Sequence, residues 1–192
     1  GRRGAGGVGR AQVASIGLHV PQWRLPDAVL AAGQSYVLHD SGAGVHPDRL
    51  VVDLDPGPGA GLAECCEVAL AARELLEALG FDSVPVTSGS KGIHLYAALT
   101  GVSAASASAF AAELAASLVA ELPALAIMAM KRDLREGKVF VDHTQNNVAK
   151  TTVSPYSVRG RQRPWVAAPR TWEEIEAGGL GQLTMGEVLE RA

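Results

Sequence analysis

Asp53 and Asp55 stand one residue apart in the run Leu50-Val51-Val52-Asp53-Leu54-Asp55-Pro56. Three apolar β-formers lead into the acids, and Pro56-Gly57 ends the run, so it reads as a strand. Residues i and i+2 of a strand share a face, which sets the two carboxylates side by side. Such a pair repels itself and is costly to desolvate, and a cation between the two relieves both problems. The alternative is a pair of acids facing solvent at a strand end. Downstream, Ser88-Gly89-Ser90-Lys91-Gly92 is a glycine turn offering hydroxyls, main-chain N–H groups and the Lys91 ammonium to phosphate oxygens. It is not a Walker A loop, because Gly92 follows Lys91 and the upstream glycine spacing is wrong. Asp142 supplies a third carboxylate. After it come Gln145-Asn146-Asn147, Lys150-Thr151-Thr152 and the stretch Ser154–Arg161, polar and basic residues suited to a triphosphate or a nucleic-acid backbone.

The elements that must position these residues are legible from residue 49 onward. Arg49–Asp55 is a strand. Gly61–Leu79 is a helix with the apolar stripe Leu62, Val68, Leu75, Leu76 and Leu79, closed by Gly80 at C′. Ser83–Thr87 and Ile93–Leu99 are strands flanking the turn. Ser103–Leu122 is an Ala-rich helix, capped by Ser103 or Ser106 and ended before Pro123. Leu125–Met130 and a basic turn lead to a strand over Lys138–His143 that carries Asp142.

The order is β-α-β-β-α-β, the split βαβ or ferredoxin-like arrangement of an α+β fold. That topology places the first strand centrally, between the fourth and the third. Asp142 is then expected beside Asp53 and Asp55 across one ladder, with His94 approaching from the other neighbour. Three hard oxygen donors so gathered suit Mg²⁺ or Mn²⁺, and two such ions suit an in-line displacement at phosphorus.

Upstream, Ile16–Val20 reads as a short strand carrying His19 and stopped by Pro21, with a further short element around Tyr36–Leu38. Gly4, Gly6 and Gly9 spell G-x-G-x-x-G, but no strand precedes them, so the dinucleotide-loop context is missing. The whole reads as one domain, with a partial N-terminal segment over residues 1–48 and the main body over 49–192.

With 47% hydrophobic, 19% charged and 5% aromatic residues among 192, the composition is that of a globular α/β chain with one sizeable core. No apolar run approaches a membrane span and no signal peptide opens the chain. The adjacent Cys65 and Cys66 read as reduced residues of a cytoplasmic protein, and nothing around them suggests zinc. Net charge is −3, yet residues 131–170 hold nine Lys/Arg against three acids. A basic block of this kind fits phosphate-rich partners, or else a solvated face without one.

The motifs V-V-D-L-D-P-G, S-G-S-K-G-I-H-L-Y and K-V-F-V-D-H-T-Q-N-N-V-A-K-T-T-V-S-P-Y-S-V-R-G-R closely resemble the three motifs of the archaeo-eukaryotic primase superfamily. Specifically, they resemble the polymerase domain of bacterial ATP-dependent DNA ligase D, a non-homologous end-joining enzyme. L-H-V-P-Q-W and A-A-P-R-T-W-E-E-I match as well, so the likeness runs from about residue 16 to the end.

The resemblance implies a primase-type palm spanning 49–192, with Asp53, Asp55 and Asp142 as catalytic metal ligands for two Mn²⁺ or Mg²⁺ ions. It implies Ser88, Lys91 and Arg159 on the incoming triphosphate, His94 against the nucleotide, and His19, Arg135 and Gln145 at further nucleotide-site positions. It also implies a preference for ribonucleotides and action on gapped or broken DNA ends. Association with Ku, attached ligase or nuclease domains and a place at the nucleoid follow in the same way. The family's domain is expected to begin upstream of residue 1, with the basic residues that grip the downstream 5′-phosphate in that part.

Two other functions compete. A D-x-D phosphatase also places its acids after an apolar strand, but Pro56-Gly57-Pro58 and the lack of a late acidic pair disfavour it. A nucleic-acid-binding relative without catalysis would retain the basic block and the fold.

Overall fold

The computed structural model describes residues 19–21, 23–24, 46–147, 149–160 and 163–191. Its central strand, β4 (Arg49–Pro56), follows the short strands β1 (His19–Pro21), β2 (Trp23–Arg24) and β3 (His46–Pro47). β4 stops at Pro56, beyond which the Gly57 N–H donates to the Lys138 carbonyl at 2.8 Å.

α1 (Leu62–Ala78) starts where Glu64 Oε2 accepts the Gly61 N–H at 2.7 Å. It ends in a Schellman motif, with Phe81 N–H on the Leu76 carbonyl, Gly80 N–H on the Glu77 carbonyl and Gly80 at φ +81°. β5 (Ser83–Ser88) and β6 (Ile93–Ala98) form the hairpin, and α2 (Ala104–Glu121) follows. Ser103 is its N-cap, its Oγ accepting the Ser106 N–H at 3.0 Å. β7 (Ala126–Ile127) runs parallel to β8 (Val139–Asp142), and a 3-10 turn over Arg132–Leu134 joins them. The remainder is β9 (Thr151–Val153), β10 (Trp165–Pro169), α3 (Trp172–Ala177), β11 (Leu183–Thr184) and α4 (Met185–Leu189).

The main sheet has seven strands in the order β11-β10-β5-β6-β4-β8-β7. Its inner four, β5-β6-β4-β8, are antiparallel neighbours joined as β-α-β-β-α-β, which is the expected split βαβ topology. Leu50, Val52 and Leu54 of β4 join Ile93, Leu95, Val139 and Val141 in one buried core under α1 and α2. The opposite face carries a smaller cluster of Val86, Val153 and Ala167, with Tyr96 against it.

The predicted elements from 49 to 143 form within one or two residues of their expected limits. One expectation about α1 fails: Leu79 is 58% exposed, while Cys65, Cys66, Ala69 and Ala72 complete the buried stripe. The helix ends at Ala78 with Leu79 as its C-cap, so the apolar stripe no longer points at the sheet there. Both cysteines are free and buried. Of the predicted strand Ile16–Val20, the described part, His19 and Val20, is extended and runs on through Pro21. Residues 1–10 and Tyr36–Leu38 lie outside the described residues. Among the described residues, no helix is long and apolar enough to cross a membrane.

Candidate active site

β4 pairs antiparallel on both sides, and the registers fix the site. Asp53 lies directly opposite Asp142 in one ladder and opposite His94 in the other. Directly opposed residues share a face of the sheet, so all three project together, with Asp55 two residues further along. Asp53 is buried at 6% exposure, whereas Asp55 is exposed.

His94 is fixed by its neighbours. Tyr96 Oη donates to the Val153 carbonyl at 3.0 Å, which leaves its oxygen to accept from His94 Nδ1 at 3.0 Å. Burial, and then the nearby Asp53 charge, push the Tyr96 phenol up, so it stays a hydroxyl donor. With the donor hydrogen on Nδ1, the other ring nitrogen, Nε2, faces Asp53 Oδ1 at 3.3 Å. In the neutral ring that nitrogen is a lone pair facing a carboxylate, and the two attract only with a proton or a cation between them. Asp53 Oδ1 is buried and has no hydrogen-bond partner among the described residues.

The Asp55 carboxyl is raised to about 6, first because the surrounding protein desolvates it and then because Asp53 lies beside it. Asp142 adds to the rise, while His94 and Arg135 oppose it. Asp55 is thus open at its surface yet poorly hydrated on its inner side.

Asp142 Oδ1 accepts from Thr144 N–H at 3.0 Å and from Thr144 Oγ1 at 2.5 Å, capping the 3-10 turn His143–Asn146. Among the described residues no three His, Cys, Asp or Glu side chains are already gathered as a metal-ligand group. The donor set nonetheless suits a hard divalent cation: one buried carboxylate oxygen without a bond, one carboxyl whose charge is suppressed by its surroundings, and a third directly across the ladder.

The turn Ser88–Gly92 lies against this end of β4, because a side chain on Gly92 would collide with the Leu54 carbonyl oxygen. Ser88 Oγ accepts from the N–H groups of Ser90 at 3.3 Å and Gly92 at 3.2 Å, and Gly89 N–H donates to Gln182 Oε1 at 2.9 Å. The expectation that main-chain N–H groups of this turn serve phosphate therefore needs correction: those of Ser88, Gly89, Ser90 and Gly92 are taken by the protein itself. What the turn presents outward is Lys91, which is exposed. Arg159 joins it, its Nη1 donating to the Ser88 carbonyl at 3.4 Å and its Cγ lying where a Gly89 side chain would be.

Arg135 sits on the acidic side. Its guanidinium lies 3.4 Å above the Phe140 ring and donates to the carbonyls of Ala129 and Met130 at 3.2 and 2.6 Å. Gly57 permits this, since a side chain there would run into the Arg135 backbone. Gln145 follows Asp142 in the 3-10 turn, and its Oε1 is buried without a hydrogen-bond partner among the described residues. His19 is placed by its backbone only, opposite Val153 in the β1–β9 ladder.

Several residues of the polar and basic stretches are structural. Asn146 accepts the Val51 N–H at 2.9 Å and donates to the Val51 carbonyl at 2.8 Å, replacing the ladder partner that β4 loses where β8 ends. Lys138 Nζ donates to the Pro123 carbonyl at 2.5 Å. Arg170 is buried and pairs with Glu174 at 2.9 Å. These three leave the expected phosphate-binding set. Asn146 and Gln182 escaped sequence reasoning as structural residues; both bond to backbone more than 85 residues away, and no local spacing signals that.

A four-stranded antiparallel palm with acids on its central strand and its fourth strand, flanked by a cation-bearing turn, defines a primase-type palm. The comparisons narrow this. The family model described as "LigD, primase-polymerase domain" matches residues 4–192. The multifunctional non-homologous end joining protein LigD of Mycolicibacterium smegmatis is 46% identical over 182 residues, covering 94% of this chain and 22% of the relative. The bifunctional LigD of Bacillus subtilis is 32% identical over 154 residues, covering 76% and 24%. The solved polymerase domain of Mycobacterium tuberculosis Ligase D in complex with DNA is 46% identical with a TM-score of 0.78, covering 92% of this chain and 59% of that one. The chain belongs to the LigD primase-polymerase family. It spans less than a quarter of the length of these two end-joining relatives.

Proposed function

We propose that this chain is the palm of a nucleotidyltransferase of primase-polymerase type. It adds nucleotides, ribonucleotides by preference, to a DNA 3′ end during gap filling in non-homologous end joining. One observation carries this: the buried Asp53 oxygen without a hydrogen bond, set between His94 and Asp142 on paired strands with Asp55 next along its own.

Asp53, Asp55 and Asp142 would hold two Mn²⁺ or Mg²⁺ ions. Bound there, such ions supply activation of the attacking 3′-hydroxyl and neutralisation of the leaving oxygen. The chain's own groups do the rest. His94, oriented through Tyr96 and Val153, keeps its Nε2 aimed at Asp53 Oδ1. The Asp55 carboxyl, raised to about 6 by desolvation and by the neighbouring acid, would bind a cation in competition with a proton. Arg135, anchored on two carbonyls and on Phe140, offers a fixed positive charge beside Asp55. Lys91 on the turn and Arg159 packed against it supply cations for the triphosphate.

DNA as a partner is supported by the solved relative, whose structure is described as a complex with DNA. Ku, attached ligase or nuclease activities and a cytoplasmic, nucleoid-associated place follow from the family's end-joining context. The antiparallel neighbours of β4 and the family membership leave the phosphatase alternative without support.

The test is primer extension on a gapped duplex with a 5′-phosphate, with Mn²⁺ and either ribo- or deoxyribonucleotides. Extension that favours ribonucleotides and vanishes in a folded Asp53→Ala protein is expected. Near-normal extension by that variant sinks the proposal. DNA binding without extension by the unaltered chain would identify a non-catalytic relative instead.

A further inference from the structure

Gln182 reaches both ends of the Ser88–Gly92 turn from a segment that has no part in the proposed reaction. Its Oε1 accepts the Gly89 N–H at 2.9 Å, and its Nε2 donates to the Gly92 carbonyl at 3.3 Å. From the inner side, Ser88 Oγ accepts the N–H groups of Ser90 and Gly92, and Ser88 N–H donates to the Gly92 carbonyl at 2.9 Å. A hydroxyl within and a carboxamide without therefore clasp the same five residues.

The segment that carries Gln182 is itself tied down. Arg170 donates to the Gly181 carbonyl, to Thr87 Oγ1 at 3.5 Å and to Glu174 at 2.9 Å. Thr87 precedes Ser88, and Gly181 precedes Gln182, so a closed ring of bonded groups runs Thr87, Arg170, Gly181, Gln182, Gly89. Gly89, at φ +66°, is pressed against Arg159 Cγ and the backbone of Val166 and Ala167. Little room is left for the turn to relax toward β10. Simple packing does not account for the arrangement, since a side chain that merely fills space has no need to match one donor and one acceptor at opposite ends of a turn.

We propose that Gln182 is a positioning residue that holds the Ser88–Gly92 turn in the conformation that presents Lys91. The C-terminal segment thereby sets the affinity for the incoming nucleotide. This rests on the proposed function, in which Lys91 meets the triphosphate. A turn that must order itself upon binding loses affinity in proportion to the competing states it leaves, and a turn already ordered does not.

The test uses the full chain and three variants: Gln182→Ala, Gln182→Glu and Lys91→Ala. Nucleotide KM and kcat are read from primer extension, with thermal melting and amide hydrogen exchange alongside. Gln182→Ala is expected to raise the nucleotide KM about five- to tenfold, the worth of one to two hydrogen bonds. Its kcat stays within about twofold, and the Gly89 amide exchanges faster while amides of β4 do not. Gln182→Glu keeps the acceptor for Gly89 but lacks the donor for Gly92, so its KM falls between.

An unchanged KM in Gln182→Ala, alongside a raised KM in Lys91→Ala, overturns the proposal and leaves the triphosphate assignment standing. An unchanged KM in both removes Lys91 from the triphosphate and the proposal with it. If Gln182→Ala does not fold, Gln182→Glu decides: an intermediate KM supports the role, and a wild-type KM overturns it.

Discussion

The two faces of β4 are built from the same eight residues to opposite ends. Toward the helices, Leu50, Val52 and Leu54 are buried with α1 and α2 above them. On the other face, Val51, Asp53 and Asp55 pass from buried and apolar, through buried and charged, to exposed and charged. The first face gains stability with every atom it hides. The second keeps an oxygen without a hydrogen bond and a carboxyl whose ionisation is resisted, which is tolerable only because the strand is fixed from beneath and from both sides. Cohesion and reactivity are thus separated by one residue of alternation.

That separation is open to attack from either face. The largest effect expected is on activity: Asp53→Ala should lower extension by on the order of 10²–10³-fold, with melting unchanged or slightly raised. An equal loss of activity and of melting temperature would mean that Asp53 serves the fold. Leu54→Ala, on the helix side, should cost about 2–5 kcal/mol in denaturant unfolding. Once folded, it should retain its dependence on Mn²⁺ concentration, and a shifted metal dependence would show the two faces to be coupled.

Asn146→Ala belongs to both faces, because it removes the clasp on Val51 and the anchor of the turn after Asp142. Leaving the Val51 backbone groups unpaired should cost about 2–3 kcal/mol and should also slow extension, whereas Asn146→Asp keeps an acceptor for the Val51 N–H but lacks the donor for the Val51 carbonyl, so it should recover only part of the stability.

The next effect is in pH. Asp55 binds its proton more tightly in the folded protein than in the unfolded chain, where it titrates near the ordinary carboxylate value. Its contribution to stability is therefore fully present below about pH 4 and is lost as pH rises through about 6. In chelator, Asp55→Asn should melt higher than the unaltered protein at pH 7–8 and no higher at pH 4. Mn²⁺ affinity should fall by up to about tenfold per pH unit below 6, as metal and proton compete for the same oxygens. A flat profile would remove Asp55 from the metal site.

The smallest effect lies far from the acids. Arg191 and Arg170, aided by the Thr171 N–H, hold the Glu174 carboxyl down to about 2. Glu174→Gln should lower stability by roughly 0.5–1 kcal/mol near neutral pH, fading as pH falls toward 2. Extension should hardly change, and a marked loss would extend the site to α3.

Much of this was legible in the sequence, for particular reasons. β4, α1, β5, β6, α2 and β8 are long or strongly patterned, and the β-α-β-β-α-β order alone placed Asp142 and His94 on either side of Asp53. The registers bear that placement out. Where the reading failed, the determinant was distant. Nothing near Asn146 announces that it completes a ladder, and nothing near Gln182 announces a turn beyond residue 88 as its partner. β9, β10 and β11 are two to five residues long and carry no periodicity of their own. The basic block is visible in the sequence but its members are not told apart there, because Lys138 and Arg170 look like Lys91 until their carbonyl and carboxylate partners are known.

The register that sets Asp53 against Asp142 also bears on the order of assembly. α1, the β5–β6 hairpin and the docking of β4 onto β6 involve chain that emerges early from the ribosome. The Asn146 clasp on Val51 joins residues 95 apart. Long-range pairings of this kind close late, after local contacts have reduced the entropy of the loop. β8 thus brings Asp142 to the sheet together with Val139 and Val141, so burial of those two valines opposes the mutual repulsion of the acids in the same step. A nascent chain interrupted before residue 138 would hold β4, α1, β5, β6 and α2 but neither the share of the core that β8 brings nor the third carboxylate.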